Sequence, residues 1–109
     1  MTTIKEAVEE IIRFRDERDW KQFHNAKDLA LALSIESAEL NELFLWKDAS
    51  GADPEKLREE LADVLMYAFL LAENQGLDIL QILSDKLKKN GLRYPVDKAR
   101  GSAKKYDQL

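Results

Sequence analysis

The sequence has no cysteine and only one histidine, two prolines and four glycines among its 109 residues. A chain without cysteine forms no disulfide and offers no thiolate to a metal, which excludes most structural zinc sites. The scarcity of proline and glycine, beside 45% hydrophobic and 35% charged residues, favours an all-α protein. No apolar run is long enough to cross a bilayer, and the start shows no secretory signal. We therefore expect a cytoplasmic protein without a membrane anchor.

The charge balance limits the partners that the chain can bind. A net charge of -4 argues against binding a nucleic-acid polymer over the whole surface. Residues 86–109 nevertheless carry eight Lys and Arg against two Asp, so the rest of the chain is strongly acidic. An acidic body suits metal cations and a basic segment suits phosphates. The alternative is that the basic segment only keeps the chain in solution.

Hydrophobic periodicity predicts four helices in a single domain, residues 1–109, with an extended C-terminal arm at about 92–109. Thr3 and Asp78 are suited to cap helix starts, and Gly76 and Gly91 to follow helix ends. The predicted helices cover residues 4–18, 26–47, 54–75 and 78–90. The second and third are apolar on nearly every face, which is too apolar for a free-standing surface helix. We therefore expect a second copy of the chain to cover them, in a dimer or a dimer of dimers.

Two pairs of carboxylates interrupt these apolar helices. Glu36 and Glu39 are three residues apart, as are Glu60 and Asp63, and Tyr67 follows Asp63 by four. Such spacings put side chains on one helix face about one turn apart. Four clustered acids without a nearby cation would raise one another's pKa, and Mg²⁺ or Mn²⁺ in an all-oxygen site would relieve that repulsion. The alternative is that the acids are solvated or paired with cations elsewhere in the chain.

Two other kinds of metal site do not fit the sequence. A di-iron bundle of the ferritin type needs Glu-x-x-His pairs, whereas the single histidine, His24, lies in the connector after the first helix. Zinc is excluded by the lack of cysteine and of clustered histidine.

Several segments resemble a known family. The arrangement Glu36-x-x-Glu39, twenty intervening residues and Glu60-x-x-Asp63 is similar to the metal-binding signature of the MazG-like superfamily of all-α nucleotide pyrophosphohydrolases. The stretches "RDWKQFHNAKDLALALSIESAELNELFLWK", "REELADVLMY" and "KNGLRYPVDKARGSAKKYDQL" resemble its dCTP pyrophosphatase branch. The resemblance covers most of the chain.

The resemblance implies a four-helix MazG-like bundle, completed by dimerisation and often assembled into tetramers. It implies an enzyme that hydrolyses a (d)NTP to the monophosphate and pyrophosphate, with Mg²⁺ held by Glu36, Glu39, Glu60 and Asp63. The metal would bind phosphate oxygens and activate the attacking water. A carboxylate oxygen of Glu36 or Glu39 that is not bound to metal would serve as the general base, and the sequence does not choose between the two.

The resemblance also implies contacts with the rest of the nucleotide. Its base pocket would be formed by Trp20, Phe23, His24 and Trp46. The phosphates would be contacted by Lys86, Asn90 and Arg93, and the sugar or a phosphate by the Tyr67 hydroxyl. Taken without the resemblance, the aromatic residues could equally be core side chains at helix ends, and the basic residues could be solvated cations.

One position departs from the family pattern. Vertebrate relatives use a histidine of the first helix in the nucleoside site, and the equivalent position here is Ile11. The resemblance therefore implies dCTP or a modified, non-canonical pyrimidine dNTP as the substrate of a house-cleaning enzyme, without fixing the base. Two alternatives stay open: the same fold acting on dUTP or phosphoribosyl-ATP, and a non-enzymatic helical module that oligomerises or binds metal.

Overall fold

A computed structural model describes residues 1–109 and contains helices and turns but no strand. The helices are α1 (Ile4–Glu17), α2 (Ala26–Glu42), α3 (Pro54–Asn74), α4 (Ile79–Arg93) and the short α5 (Val96–Ala99). The chain forms two compact units, residues 1–76 with α1 to α3 and residues 77–109 with α4 and α5. The predicted all-α class is confirmed. None of the helices combines the length and the apolar character that a membrane crossing requires.

The helices of the first unit begin at residues that their side-chain chemistry favours. The Thr3 hydroxyl accepts a hydrogen bond from the Glu6 backbone N–H at 3.1 Å, which confirms the predicted cap of α1. The Asp53 carboxylate accepts one from the Glu55 N–H at 3.0 Å, and Pro54 occupies the first turn of α3. With these starts, α2 packs along α3 and α1 packs against α3.

Helix α2 is shorter than predicted, because it ends at Glu42 rather than near Lys47. The chain continues in tight turns, in which the Phe44 N–H bonds to the Asn41 carbonyl and the Lys47 N–H to the Phe44 carbonyl, both at 3.0 Å. Hydrogen bonds between residues three positions apart tighten the end of a helix and satisfy its last carbonyl groups. The prediction was wrong here because these residues are good helix formers and carry no local stop signal.

The second unit also differs from its prediction. Asp78 caps α4 as expected, since its carboxylate accepts from the Gln81 N–H at 2.9 Å. Gly91 was expected after the end of the helix, but it lies inside α4, which continues to Arg93. The arm is not simply extended either: it contains α5 and a turn in which the Tyr106 ring meets the Tyr94 ring edge-on, with 6.0 Å between centroids.

Two glycines provide a matched test of these helix ends. Gly76 has φ +64°, a left-handed conformation that costs other residues roughly 1–2 kcal/mol, whereas Gly91 lies in regular helix. A Cβ would meet no atom within 4 Å at either position. We expect Gly76→Ala to lower the free energy of unfolding by about 1 kcal/mol and Gly91→Ala to raise it by about 0.5–1 kcal/mol. Urea unfolding of both variants checks this, and a stabilising Gly76→Ala would contradict the assigned helix end.

Few apolar side chains are buried. Leu29, Leu70 and Ala72 are, whereas Ile35 on α2 and Leu65 on α3 are about half exposed, at 59% and 47%. The chain therefore leaves large apolar side chains uncovered on the two helices that were predicted to be too apolar for a free surface.

Candidate active site

The acids predicted to bind metal come together between α2 and α3. Glu36 on α2 and Glu60 and Asp63 on α3 each place one carboxylate oxygen within 4.8 Å of the others. Glu39 lies one turn after Glu36 and is close enough for its charge to act on both Glu36 and Glu60. These four residues are called the acid cluster below. The cluster forms because each pair occupies one helix face and the two helices pack side by side.

Two carboxylates of the acid cluster have raised pKa values, as expected where negative charges lie close together. Burial, with the neighbouring Glu39, Asp63 and Glu60 carboxylates, raises the pKa of Glu36 to about 7. Burial and the Glu39 and Asp63 carboxylates raise the pKa of Glu60 in the same direction. None of the ion pairs in the structure involves a residue of the cluster. Repulsion and desolvation are therefore not offset by an ion pair with a cationic side chain.

The cluster fits a hard divalent cation. The Oε2 atoms of Glu36 and Glu60 are buried and have no hydrogen-bond partner in the protein. A buried carboxylate oxygen without a donor is costly, and an all-oxygen donor set is the kind that Mg²⁺ or Mn²⁺ prefers. The residues present are thus those that such an ion requires.

A cavity of about 530 Å³ is lined by one residue of the cluster and by aromatic side chains. Its wall includes Asp63 of the cluster, Tyr67 one turn further along α3, and Trp20 and His24 from the connector between α1 and α2. Ile11, the position of the first helix at which the sequence was expected to depart from the family pattern, also lines it. Four of the predicted site residues, on two different elements, therefore line one cavity.

The connector holds Trp20 at the cavity wall. Asp19 takes a left-handed conformation with φ +53°, and this lets the Trp20 N–H bond to the Arg15 carbonyl at 3.2 Å. The Trp20 ring then packs edge-on against Phe14, with 5.8 Å between centroids. The indole packs against Phe14 and is still 44% exposed, so part of the ring is open to a ligand.

Two polar groups of the cavity have shifted pKa values. Burial and the charges of Glu36, Asp63 and Glu39 raise the pKa of Tyr67, which keeps its hydroxyl protonated and able to donate a hydrogen bond. Burial and the charge of Arg15 lower the pKa of His24, and its Nδ1 atom is buried without a partner. A neutral imidazole has one donor and one acceptor nitrogen, so His24 can recognise a polar ligand edge.

A second cavity, of about 580 Å³, lies against two other members of the cluster. Glu39 and Glu60 line it together with Lys47 and Lys56. Asp63 is thus accessible from a largely apolar cavity, and Glu39 and Glu60 are accessible from a charged one.

Some residues that line the first cavity, of about 530 Å³, were not predicted from the sequence. Phe14, Met66 and above all Arg15 line it, and none of them was predicted as a site residue. The sequence does contain one indication for Arg15. Helical spacing places it on the apolar stripe of α1, on the same face as Ile4, Val8 and Ile11.

Other residues that were predicted to contact the nucleotide do not line the first cavity. Phe23 and Trp46 are largely exposed, Trp46 over 94% of its surface and with φ +61°. The predicted phosphate contacts belong to the second unit, where Lys86 is exposed, Asn90 is half-buried, and Arg93 places its guanidinium 4.8 Å from the Tyr106 ring centroid. For all five, the predicted contact with a nucleotide stays a prediction.

Comparison with known proteins agrees with these features. The model of the MazG-like family matches residues 31–109. The chain is 44% identical to mouse dCTP pyrophosphatase 1 and 41% identical to the human protein of that name, over 88% of this chain. It spans 61% of the length of each of these relatives. The crystal structure of a pyrophosphatase from Archaeoglobus fulgidus is similar with a TM-score of 0.75 and 35% identity, covering 84% of this chain and 92% of that one.

Proposed function

We propose that this chain, which belongs to the MazG-like family, is a nucleotide pyrophosphohydrolase that cleaves a (d)NTP to the monophosphate and pyrophosphate. The named activities of its relatives, dCTP pyrophosphatase and pyrophosphatase, support this reaction class. Among substrates of that class, dCTP or a modified pyrimidine dNTP is favoured.

The observation that carries the proposal is the single cavity shared by Asp63, Trp20 and His24. A nucleoside triphosphate has a flat aromatic base at one end and a chain of anionic phosphates at the other. The indole of Trp20 offers a surface on which a base can stack, and His24 offers hydrogen bonds to its edge. Asp63 connects the same cavity to a site suited to the cations that accompany phosphates.

The acid cluster is the proposed metal site, with Mg²⁺ as the favoured ion and Mn²⁺ as a substitute. When bound there by Glu36, Glu39, Glu60 and Asp63, the metal supplies charge neutralisation at phosphate oxygens and acidifies water. The chain's own residues complete the site. A cluster oxygen of Glu36 or Glu39 that is not a ligand accepts the proton of the attacking water, and Tyr67 donates a hydrogen bond to sugar or phosphate.

Cations of the chain are proposed to serve the leaving pyrophosphate. Lys47 and Lys56 line the second cavity together with Glu39 and Glu60. Lys86, Asn90 and Arg93 are proposed to act on the β- and γ-phosphates, as the family resemblance implies. Positive charge near these groups favours departure of pyrophosphate because it stabilises the charge that develops on it.

Incubation with Mg²⁺ and a panel of nucleotides tests the function directly. We expect monophosphate and pyrophosphate as products, fastest from dCTP or its 5-modified forms and abolished by a chelator. Separate arms with dUTP and phosphoribosyl-ATP test the alternative substrates. Release of orthophosphate would mean that the wrong bond was assigned, and no product from any nucleotide would leave the non-enzymatic metal-binding module as the function.

We also propose that the chain forms a homodimer or homotetramer. The exposed apolar side chains on α2 and α3, including Leu31, Ile35 and Leu65, support this assembly, since a partner surface would remove them from water. Sedimentation equilibrium measures the mass of the assembly, and a monomer at micromolar concentration would contradict the proposal.

A further inference from the structure

Arg15 is the one charged side chain that the structure buries, with 4% of its surface exposed. Its Nη1 donates to Glu73 Oε2 at 2.7 Å, which joins α1 to α3, and its Nε donates to Asp16 Oδ1 at 2.8 Å. Burying a guanidinium is costly unless its charge is paired, and these two carboxylates provide the pairing. The guanidinium plane is therefore held in a fixed orientation by its two bonds.

This fixed guanidinium lies in the wall of the 530 Å³ cavity. Its third nitrogen, Nη2, has no acceptor in the protein. Apart from Glu10, the other residues of α1 and the adjoining connector that line the cavity near Arg15 are apolar or aromatic, and include Ile11, Phe14 and Trp20. A guanidinium has only donors, so a ligand in this apolar cavity gains most by presenting an acceptor to Nη2.

Pyrimidine bases differ in what they present to such a donor. Cytosine has two adjacent acceptors, the O2 carbonyl and the unprotonated N3 atom. Uracil and thymine place an N3–H donor beside O2, and two donors that face each other leave both unpaired. A site that leaves polar groups unpaired in this way rejects the wrong ligand more strongly than one that merely lacks a contact.

We propose that Arg15, oriented by Glu73, selects a cytosine base over uracil and thymine by donating a hydrogen bond from Nη2 to N3. The inference rests on the proposed function of the cavity as the nucleotide site. In it, the Arg15–Glu73 ion pair determines which pyrimidine base binds. In this role Arg15 contacts the substrate, while Glu73 is a positioning residue that fixes the donor.

Binding of two non-hydrolysable analogues, α,β-imido-dCTP and α,β-imido-dUTP, measured by calorimetry with Mg²⁺, tests the inference. The variants are Arg15→Met and the double variant Arg15→Met with Glu73→Gln, which also removes the carboxylate that Arg15 pairs with on α3. Arg13→Met, an exposed arginine of the same helix, is the matched control. The ratio of the two dissociation constants is the readout, because a residue that only supports the fold would change both constants together.

We expect the natural chain and Arg13→Met to prefer the cytosine analogue. In both Arg15 variants we expect that preference to fall by about 10-fold, the usual consequence of losing a charged hydrogen bond. Equal affinities in the natural chain, or an unchanged ratio in the double variant, would overturn the role of Arg15 even if the chain still releases pyrophosphate from dNTPs. Absence of both analogue binding and hydrolysis would instead overturn the proposed function itself.

Discussion

Asp63→Asn is expected to reduce pyrophosphate release by at least about 100-fold, since even residues that only orient a metal ligand typically contribute 10–100-fold. The same change is expected to leave the metal-free fold intact or slightly more stable. It removes one of the negative charges that crowd within 4.8 Å in the acid cluster, and in a domain of this size each 1 kcal/mol of relief raises Tm by about 4–8 °C.

Two measurements distinguish the proposed role of Asp63 as a metal ligand from a purely structural role. Pyrophosphate release is followed with Mg²⁺, and thermal unfolding is followed with a chelator and again with Mg²⁺. Glu9→Gln, which removes an exposed charge from α1, serves as the control and should change neither quantity appreciably. If Asp63→Asn lowers Tm equally in the presence and absence of Mg²⁺, then Asp63 stabilises the fold and is not a ligand.

The second large effect concerns pH in the absence of metal. The pKa of Glu36 rises from 4.5 to about 7 on folding, so the folded protein binds this proton more tightly than the unfolded chain does. Its contribution to stability is fully present below pH 4.5 and is lost as pH rises through about 7. We therefore expect the contribution of Glu36 to the free energy of unfolding of the metal-free protein to fall as the pH rises from 4.5 to about 7. Mg²⁺ at 100 times its Kd should restore about 2.7 kcal/mol above pH 7.

Urea unfolding at pH 5 and pH 8 isolates this effect when the natural chain is compared with Glu36→Gln. The comparison is needed because other carboxylates act in the opposite sense; hydrogen bonds from Thr2 and from Arg15, for example, lower the pKa values of Glu6 and Asp16. We expect the loss of stability between the two pH values to be smaller in Glu36→Gln. An identical pH dependence in both proteins would contradict the electrostatic account of the cluster.

The features that sequence reasoning predicted correctly depend on short spacings. The caps at Thr3 and Asp78 are local, and each is set by a side chain that reaches a backbone N–H three residues on. The acid cluster required one further step, namely that two helices with acids on one face pack together. That step was accessible because the apolar surroundings of Glu36 and Asp63 marked those faces as buried.

The features that were missed depend on distant partners or on weak local preferences. Arg15 is buried because Glu73, fifty-eight positions away in the sequence, neutralises it, and no local pattern encodes such a pair. Gly91 lies within α4 because a single glycine costs a helix only about 1 kcal/mol, which the flanking residues can outweigh. The end of α2 is set by turns that ordinary helix-forming residues adopt without a punctuating glycine or proline.

The contrast between the two tryptophans has a spectroscopic consequence. Trp46 projects into solvent from a left-handed backbone position, whereas Trp20 packs against Phe14 in the cavity wall. Their fluorescence should therefore report on different environments, with a water-like emission from Trp46. A Trp46→Phe chain would carry one indole, at the cavity, and its emission would become an intrinsic sensor of cavity occupancy. Occupancy could then be followed in real time and without any turnover.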